Sequence, residues 1–135
     1  MPPTAAEVRA TVADIRAALA LVAEEVPVGE ASSLVGLAGS VTTVAALALD
    51  LPEYDPAAIH GSRIPAADVR RVSDELLAMP REQRAALPVM HPGRVDVIGA
   101  GALILRVIVD EFSMDEVVVS EHDILDGIAL RLARP

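Results

Sequence analysis

Apolar residues recur every three or four positions over much of this chain, which is the spacing of one face of an α-helix. In the first such stretch, Thr4 and Glu7 form a capping box, and a helix is predicted from residue 4 to residue 25. Its apolar stripe is expected to face the core. Further helices are predicted at residues 40–51, 65–79, 81–87, 94–112 and 122–132.

Two short apolar runs bounded by turn residues predict strands. Residues 33–37 precede a glycine turn and residues 116–120 come late in the chain, and both have the continuous apolar character of buried parallel strands. An edge strand is expected near Ile59, inside a proline-rich loop. Two strands alone make a marginal sheet. Either the strands pair with another chain, or the sequence is part of a longer protein.

Two glycines interrupt the predicted helix at residues 94–112. Gly99 and Gly101 each cost about 1 kcal/mol relative to alanine inside a helix. Their presence indicates that another part of the chain packs very close to this helix.

The composition is consistent with one domain over residues 1–135 and argues against several functions. Apolar residues make up 53% of the chain but aromatic residues only 1%, so no aromatic surface is available for stacking nucleic-acid bases. A net charge of −9 disfavours binding to DNA or to an anionic membrane. There is no cysteine for a disulfide or a thiolate metal site. With no secretion signal or membrane-spanning stretch in view, a cytoplasmic protein is predicted.

The charge is unevenly distributed along the chain. Residues 56–106 carry seven arginines and five acids, whereas the rest carries four arginines and 15 acids. If an anion binds, the middle segment is therefore the expected place.

Small polar residues interrupt the apolar segment LVGLAGSVTTVAALAL. One interpretation is a strand-to-helix turn in which Gly36 and Gly39 let backbone N–H groups face an anion at a helix N-terminus. The alternative is structural, with Gly39 making the turn, Ser40 capping the helix, and Thr42 and Thr43 buried within it.

Arg94 and Asp96 follow a Pro-Gly turn at the start of a predicted helix. Arginine suits bidentate contact with a phosphate, so Arg94 is a candidate anion ligand. The alternative is a salt bridge from Arg94 to Asp96 or to another element. Asp96 itself is predicted to be structural, as an acid that complements the helix dipole.

Polar residues follow the predicted strand at residues 116–120. Glu121, Asp123 and Asp126 lie where ligands bind in parallel sheets, beyond the carboxyl ends of the strands. Capping of the next helix is the alternative role for these acids. The three histidines of the chain are too far apart in sequence to form a recognisable metal site, and none is predicted.

Three segments together resemble one protein family. VGLAGSVTT, HPGRVDVIGAGALIL and VVVSEHDILDGIA occur in this order and at about this spacing in the exopolyphosphatase and guanosine pentaphosphate phosphohydrolase (Ppx/GppA) family. With the proline-flanked helices between them, they cover nearly the whole chain. The chain resembles the C-terminal part of a family member.

The resemblance implies an α/β fold, namely part of the second lobe of an actin-like and sugar-kinase-like protein with RNase H-like topology. It also implies hydrolysis of terminal phosphate from inorganic polyphosphate or pppGpp, assisted by a divalent cation such as Mg²⁺. The family's Asp-x-Gly-Ser and Gly-Gly-Gly-Ser loops and its water-activating carboxylate are not in this sequence. The chain is therefore expected to contribute no catalytic residue or metal ligand, to be inactive alone, and to need the N-terminal lobe. A homodimer is also expected.

The resemblance places the glycine segment in the cleft between the lobes and makes its small polar residues candidate ligands. The candidate phosphate- or nucleotide-binding residues are Gly36, Gly39, Ser40, Thr42, Thr43 and Arg94, and the candidate cleft residues are Glu121 and His122. One position departs from the family pattern, because Leu125 stands where an arginine is usual. A phosphate-binding role of that arginine is not carried over to this chain.

Two alternatives to an enzyme segment stay open. One is a module that binds polyphosphate or a guanosine alarmone without hydrolysis. The other is an assembly unit that dimerises through an exposed sheet edge.

Overall fold

Helices predominate in the structure, a computed structural model that describes residues 1–134. The helices are α1 (Ala5–Glu25), α2 (Gly39–Ala48), α3 (Pro56–Ile59), α4 (Ala66–Ala78), α5 (Arg81–Ala85), α6 (Ile98–Glu111) and α7 (Ile124–Ala133). The strands are β1 (Val35–Leu37), β2 (Arg63–Pro65) and β3 (Glu116–Ser120), and Val28–Glu30 and Pro92–Arg94 form 3₁₀ turns. This order confirms the expected helix-rich α/β class.

The sheet is small and mixed, with β3 between β1 and β2. Val35 of β1 lies opposite Val118 of β3 in a parallel pair, which confirms the parallel character predicted for the two strong strands. Ile64 of β2 lies opposite Val117 in an antiparallel pair. Strand β2 is therefore added beside β3 in the antiparallel direction and does not extend the parallel part of the sheet.

The edge strand occurs a few residues later than predicted. Ile59 ends helix α3 and is buried, and the strand begins only at Arg63. Asp55 explains the helix, since its carboxylate accepts a hydrogen bond from the Ala57 N–H at 3.0 Å and Pro56 occupies the first helical position.

The prediction that β1 is buried on both faces is wrong. Gly36 is buried, but Val35 and Leu37 are 58% and 47% exposed. Helices cover only the face of the sheet to which Gly36, Val117 and Val119 belong. The opposite face of β1 is left open within residues 1–134.

The core lies between the covered face of the sheet and helices α2, α4 and α6. Val44, Val69, Ile98, Val109 and Val119 are at most 1% exposed. The helix predicted at residues 94–112 is shorter than expected, because a 3₁₀ turn ends at Arg94 and regular helix begins at Ile98. The residues before Ile98 form the approach to α6.

Helix α1 begins as predicted but does not enter the core. The capping box is present, since the Thr4 N–H donates to Glu7 at 2.7 Å and the Glu7 N–H donates to Thr4 at 3.2 Å. No residue of α1 is buried, and Leu21 near its end is 65% exposed. The helix lies on the outside of α6, where Arg16 forms a salt bridge to Glu111 at 2.6 Å. The expectation of a core-facing helix is therefore wrong.

Helix α7 is also peripheral. Its apolar residues are exposed, including Ile124 at 76% and Leu132 at 81%. Asp123 and Asp126 form a capping box at its start, which confirms the capping interpretation of these two acids. Among the helices that the structure describes, none has both the length and the apolar character needed to cross a membrane.

The two glycines of α6 have different environments. A Cβ atom on Gly101 would overlap the side chain of Ser40, at the start of α2. A Cβ atom on Gly99 would meet nothing closer than the Leu77 side chain at 3.7 Å, an ordinary contact. The predicted close packing is confirmed at Gly101 alone.

Replacing each glycine of α6 by alanine should therefore change stability in opposite directions. Gly101→Ala should lower the free energy of unfolding by about 1–3 kcal/mol, because α2 would have to move. Gly99→Ala should raise it by up to ~1 kcal/mol through better helix propensity. Urea denaturation followed by circular dichroism measures both. Equal effects of the two substitutions would contradict the close contact at Gly101.

The open face and free edge of β1 should make the 135-residue chain associate with itself. Sedimentation velocity should show oligomers whose proportion rises with concentration. Val35→Lys, on the open face, should reduce association, whereas Ala67→Lys, on the exposed side of α4, makes the same charge change and should not. A compact monomer at high concentration would contradict this expectation.

Candidate functional site

The carboxyl ends of the parallel strands β1 and β3 lie side by side. Leu37 is opposite Ser120 in the register, so the turn after β1 and the residues after β3 meet at one edge of the sheet. The sheet thus brings the glycine turn and Glu121 into one region, at the edge where open parallel sheets bind ligands.

The turn between β1 and α2 has an unusual backbone. Ala38 has φ 70° and ψ 176°, a combination that is otherwise almost restricted to glycine and costs of order 1–3 kcal/mol. The turn directs the N-terminus of α2 to the edge of the sheet. No side chain within residues 1–134 caps that N-terminus, so its first backbone N–H groups are available to an anion.

The Arg94 side chain lies directly on the N-terminus of α2. A Cβ atom on Gly39 would overlap its guanidinium group. Only glycine allows this approach, which places a positive charge beside the positive end of the helix dipole. Both groups favour the same type of ligand, an anion.

The backbone that carries Arg94 is held by its own hydrogen bonds. His91 begins the 3₁₀ turn, with Nδ1 accepting from the Gly93 N–H at 3.0 Å. Arg84 donates to the carbonyl oxygens of Met79 and Val95 at 2.8 and 3.0 Å. These contacts fix the turn without using the Arg94 side chain.

Asp96 does not pair with Arg94. Its carboxylate receives two hydrogen bonds from Arg81, at 2.6 and 3.2 Å. The hydrogen bonds from Arg81 hold the pKa of Asp96 below its ordinary value. The alternative in which Asp96 neutralises Arg94 is therefore wrong.

Arg94 differs from the other partly buried arginines of residues 1–134. Arg84 binds backbone carbonyls, and Arg106 forms salt bridges with Asp74 and Asp110. Arg94 is also half-buried, but its side chain forms no ion pair or hydrogen bond in the part of the chain that the structure describes. Its charge is available to a ligand.

The small residues of the glycine segment have different positions. Gly36 packs in the core, where a Cβ atom would lie 2.7 Å from Val41 and 2.9 Å from Val117. Thr42 and Thr43 are buried, and their hydroxyls donate to the Gly39 carbonyl at 3.3 and 2.7 Å. Ser40 packs on α6 and does not cap α2. Their assignment as binding residues stays a prediction.

A chain of contacts connects the end of β3 to the loop after α2. The Tyr54 hydroxyl donates to the Glu121 carboxylate at 2.7 Å, and the Glu121 N–H donates to His60 Nδ1 at 3.1 Å. The His60 ring stacks on His122, with 4.4 Å between ring centroids. His60 accepts this bond only in its neutral form, because a protonated imidazole has no free lone pair.

Tyr54 is a neutral donor in this arrangement. Burial and the hydrogen bond to Glu121 raise its pKa, whereas the Thr42 hydroxyl and the positive charge of Arg94 lower it; the net direction is upward. The phenol therefore keeps its proton at neutral pH.

Tyr54 and Arg94 also face a shared cavity of about 310 Å³, whose other lining residues are Pro88, Val89, Met90 and His91. Tyr54 and His60 were not predicted as site residues. The chain contains a single tyrosine, and its position in an acidic, proline-rich loop gives no periodic pattern that would have indicated its partner.

The described residues do not fit a divalent metal site. Within residues 1–134, no three His, Asp or Glu side chains are grouped so that they could hold an ion. The Glu121 carboxylate already accepts a hydrogen bond from Tyr54.

Comparisons with known proteins agree with the motifs. The chain is 49% identical to exopolyphosphatase 2 of Mycobacterium tuberculosis over 136 residues, which cover 98% of this chain and 43% of that protein. The crystal structure of an exopolyphosphatase-like protein superposes with a TM-score of 0.94 at 36% identity, over 98% of this chain and 44% of that one. A Ppx/GppA protein of Aquifex aeolicus gives a TM-score of 0.83 at 26% identity, over 99% and 44%.

The chain thus spans less than half the length of these relatives. The sequence model of the "Ppx/GppA phosphatase family" matches residues 1–134, which is nearly the entire sequence. With both comparisons covering the same segment, this chain belongs to the Ppx/GppA phosphatase family.

Proposed function

We propose that this chain is the C-terminal segment of the second lobe of an exopolyphosphatase-type phosphohydrolase and contributes phosphate-binding groups to the cleft between two lobes. The lobe is of the RNase H-like type found in actin-like proteins, and residues 1–135 form one unit of it. The substrate is inorganic polyphosphate or pppGpp, whose terminal phosphates carry the charge that Arg94 and the α2 N-terminus would bind.

The half-buried guanidinium of Arg94, without an acidic partner and in contact with Gly39, is the observation that carries this proposal. A planar guanidinium can bind two phosphate oxygens at once, and the uncapped helix N-terminus adds backbone N–H donors. In a chain with a net charge of −9, such a positive site is specific rather than a general property of the surface.

Catalysis itself is assigned to the part of the enzyme outside this chain. The water-activating carboxylate and the ligands of Mg²⁺ would belong to the N-terminal lobe, because the described residues hold no metal-ligand cluster. Arg94 would orient the terminal phosphate of the substrate. It would also offset the negative charge on the phosphate oxygens as the bond between this phosphate and the rest of the substrate breaks. The proposal includes a cytoplasmic homodimer.

A non-catalytic module that binds polyphosphate or an alarmone, or an assembly unit, is the second candidate. The open face of β1 and the exposed apolar residues of α7 favour an assembly role. The two candidates differ in whether phosphate is released.

Binding of tripolyphosphate to this chain should depend on Arg94. Arg94→Ala should weaken binding about tenfold or more, the usual effect of losing a hydrogen bond to a charged group. Gly39→Ala should also weaken it, since the new methyl group displaces the guanidinium. Isothermal titration calorimetry at fixed low ionic strength measures both effects.

Arg9→Ala is the matched control for this experiment, because Arg9 is exposed on α1 and its loss makes the same charge change. Equal weakening by Arg9→Ala and Arg94→Ala would show non-specific attraction. Binding unaffected by Arg94→Ala would contradict the proposed site.

Phosphate release separates the enzyme from the binding module. Polyphosphate and pppGpp should be tested with Mg²⁺ on this chain and on the chain joined to its upstream genomic sequence. Release is expected from the longer protein only, and Arg94→Ala should reduce it while changing the thermal midpoint little. Binding without release by both proteins would favour the module, and release by the short chain would contradict the assignment of catalysis to the other lobe.

A further inference from the structure

Glu121 and Arg94, an arginine that has no acidic partner, both lie beside Tyr54, yet they do not form a salt bridge. The Tyr54 hydroxyl binds Glu121 at 2.7 Å, and Tyr54 lines the same cavity as Arg94. Tyr54 is thus a shared neighbour of Glu121 and Arg94. Within residues 1–134, no ion pair joins them.

Opposite charges that share a neighbouring residue ordinarily attract. A carboxylate paired with Arg94 would occupy the guanidinium N–H groups and cancel the charge that an anion needs. Two contacts hold Glu121 elsewhere: its carboxylate accepts from Tyr54, and its backbone N–H donates to His60. The stacking of His60 on His122 supports the second contact.

We infer that Tyr54 is a positioning residue that keeps the Glu121 carboxylate away from Arg94 and so leaves the guanidinium open to a phosphate chain. This inference rests on the proposed role of Arg94 in anion binding. Glu121 is then an internal competitor for the site, and one hydrogen bond, from Tyr54, restrains its carboxylate.

The environment of Tyr54 is consistent with this role. Its hydroxyl contacts Glu121 on one side and is close enough to Arg94 to be affected by the positive charge. Tyr54 is 36% exposed, so removing its hydroxyl leaves the ring and the fold in place. Phenylalanine therefore tests the hydrogen bond without opening a cavity.

Binding of tripolyphosphate to four forms of the chain tests the inference. Tyr54→Phe should weaken binding about two- to fivefold, the range expected when a partly exposed ion pair competes. Tyr54→Phe combined with Glu121→Gln should restore or exceed the affinity of the unchanged chain, because glutamine has the same shape without the charge. A double variant as weak as Tyr54→Phe alone would overturn the inference, since the hydroxyl would then contact the anion directly.

Measurements without ligand test the restraint itself. In ¹H–¹⁵N spectra, the Arg94 Nε–H signal should shift in Tyr54→Phe and return in the double variant. Absorbance titration reports Tyr54 alone, since it is the single tyrosine. Glu121→Gln should lower the pKa of Tyr54, because the amide oxygen is a weaker acceptor than the carboxylate and carries no negative charge.

These results separate the inference from the proposed function. An Arg94 signal that is identical in all forms, or a Tyr54 pKa unaffected by Glu121→Gln, would overturn the inference. Binding that Arg94→Ala leaves unaltered would instead contradict the proposed function.

Discussion

Helix α2 begins in a confined space between α6 and the turn that carries Arg94, and the geometry of the site depends on this close approach. Gly101 admits the Ser40 side chain, and Gly39 admits the Arg94 guanidinium. Neither contact could form with a Cβ atom present. The two missing side chains bring a helix N-terminus and a cation together without any direct bond between them. The site is therefore built by packing, and its polar groups stay available.

The pairing of charges explains why Arg94 is more important for anion binding than the overall excess of arginines in residues 56–106. The middle of the chain has an excess of arginines, but most are already paired: Arg63 with Glu116, Arg70 with Asp110 and Arg81 with Asp96. Surface pairs of this kind contribute little to stability, about 0–1 kcal/mol each. An arginine that is paired with an acid is, however, less able to bind an anionic ligand. Arg84 is bound to backbone carbonyl oxygens, whereas the guanidinium of Arg94 lies at the edge of the sheet where the strands end.

Much of this architecture could be predicted from the sequence, because it depends on local patterns. The capping box at Thr4, the strand at Glu116–Ser120 and the helices separated by prolines are set by nearby residues. The errors concern partners distant in sequence. The exposure of β1 and α1 depends on what covers them, and the bond between Tyr54 and Glu121 joins residues 67 positions apart. The sequence predicts Arg94 as a candidate ligand, but its lack of an acidic partner depends on the tertiary contact in which Arg81 binds Asp96.

Strand β2 forms an edge of the sheet that disfavours the addition of a further strand. It has only three residues, ends at Pro65, which has no N–H to donate, and carries the charged Arg63. Short length, proline and charge all discourage a further strand from adding to an edge. Helix α4 follows at once and leaves no room to lengthen it. Of the two edges of the described sheet, the one at β1 is therefore the edge that favours a further strand.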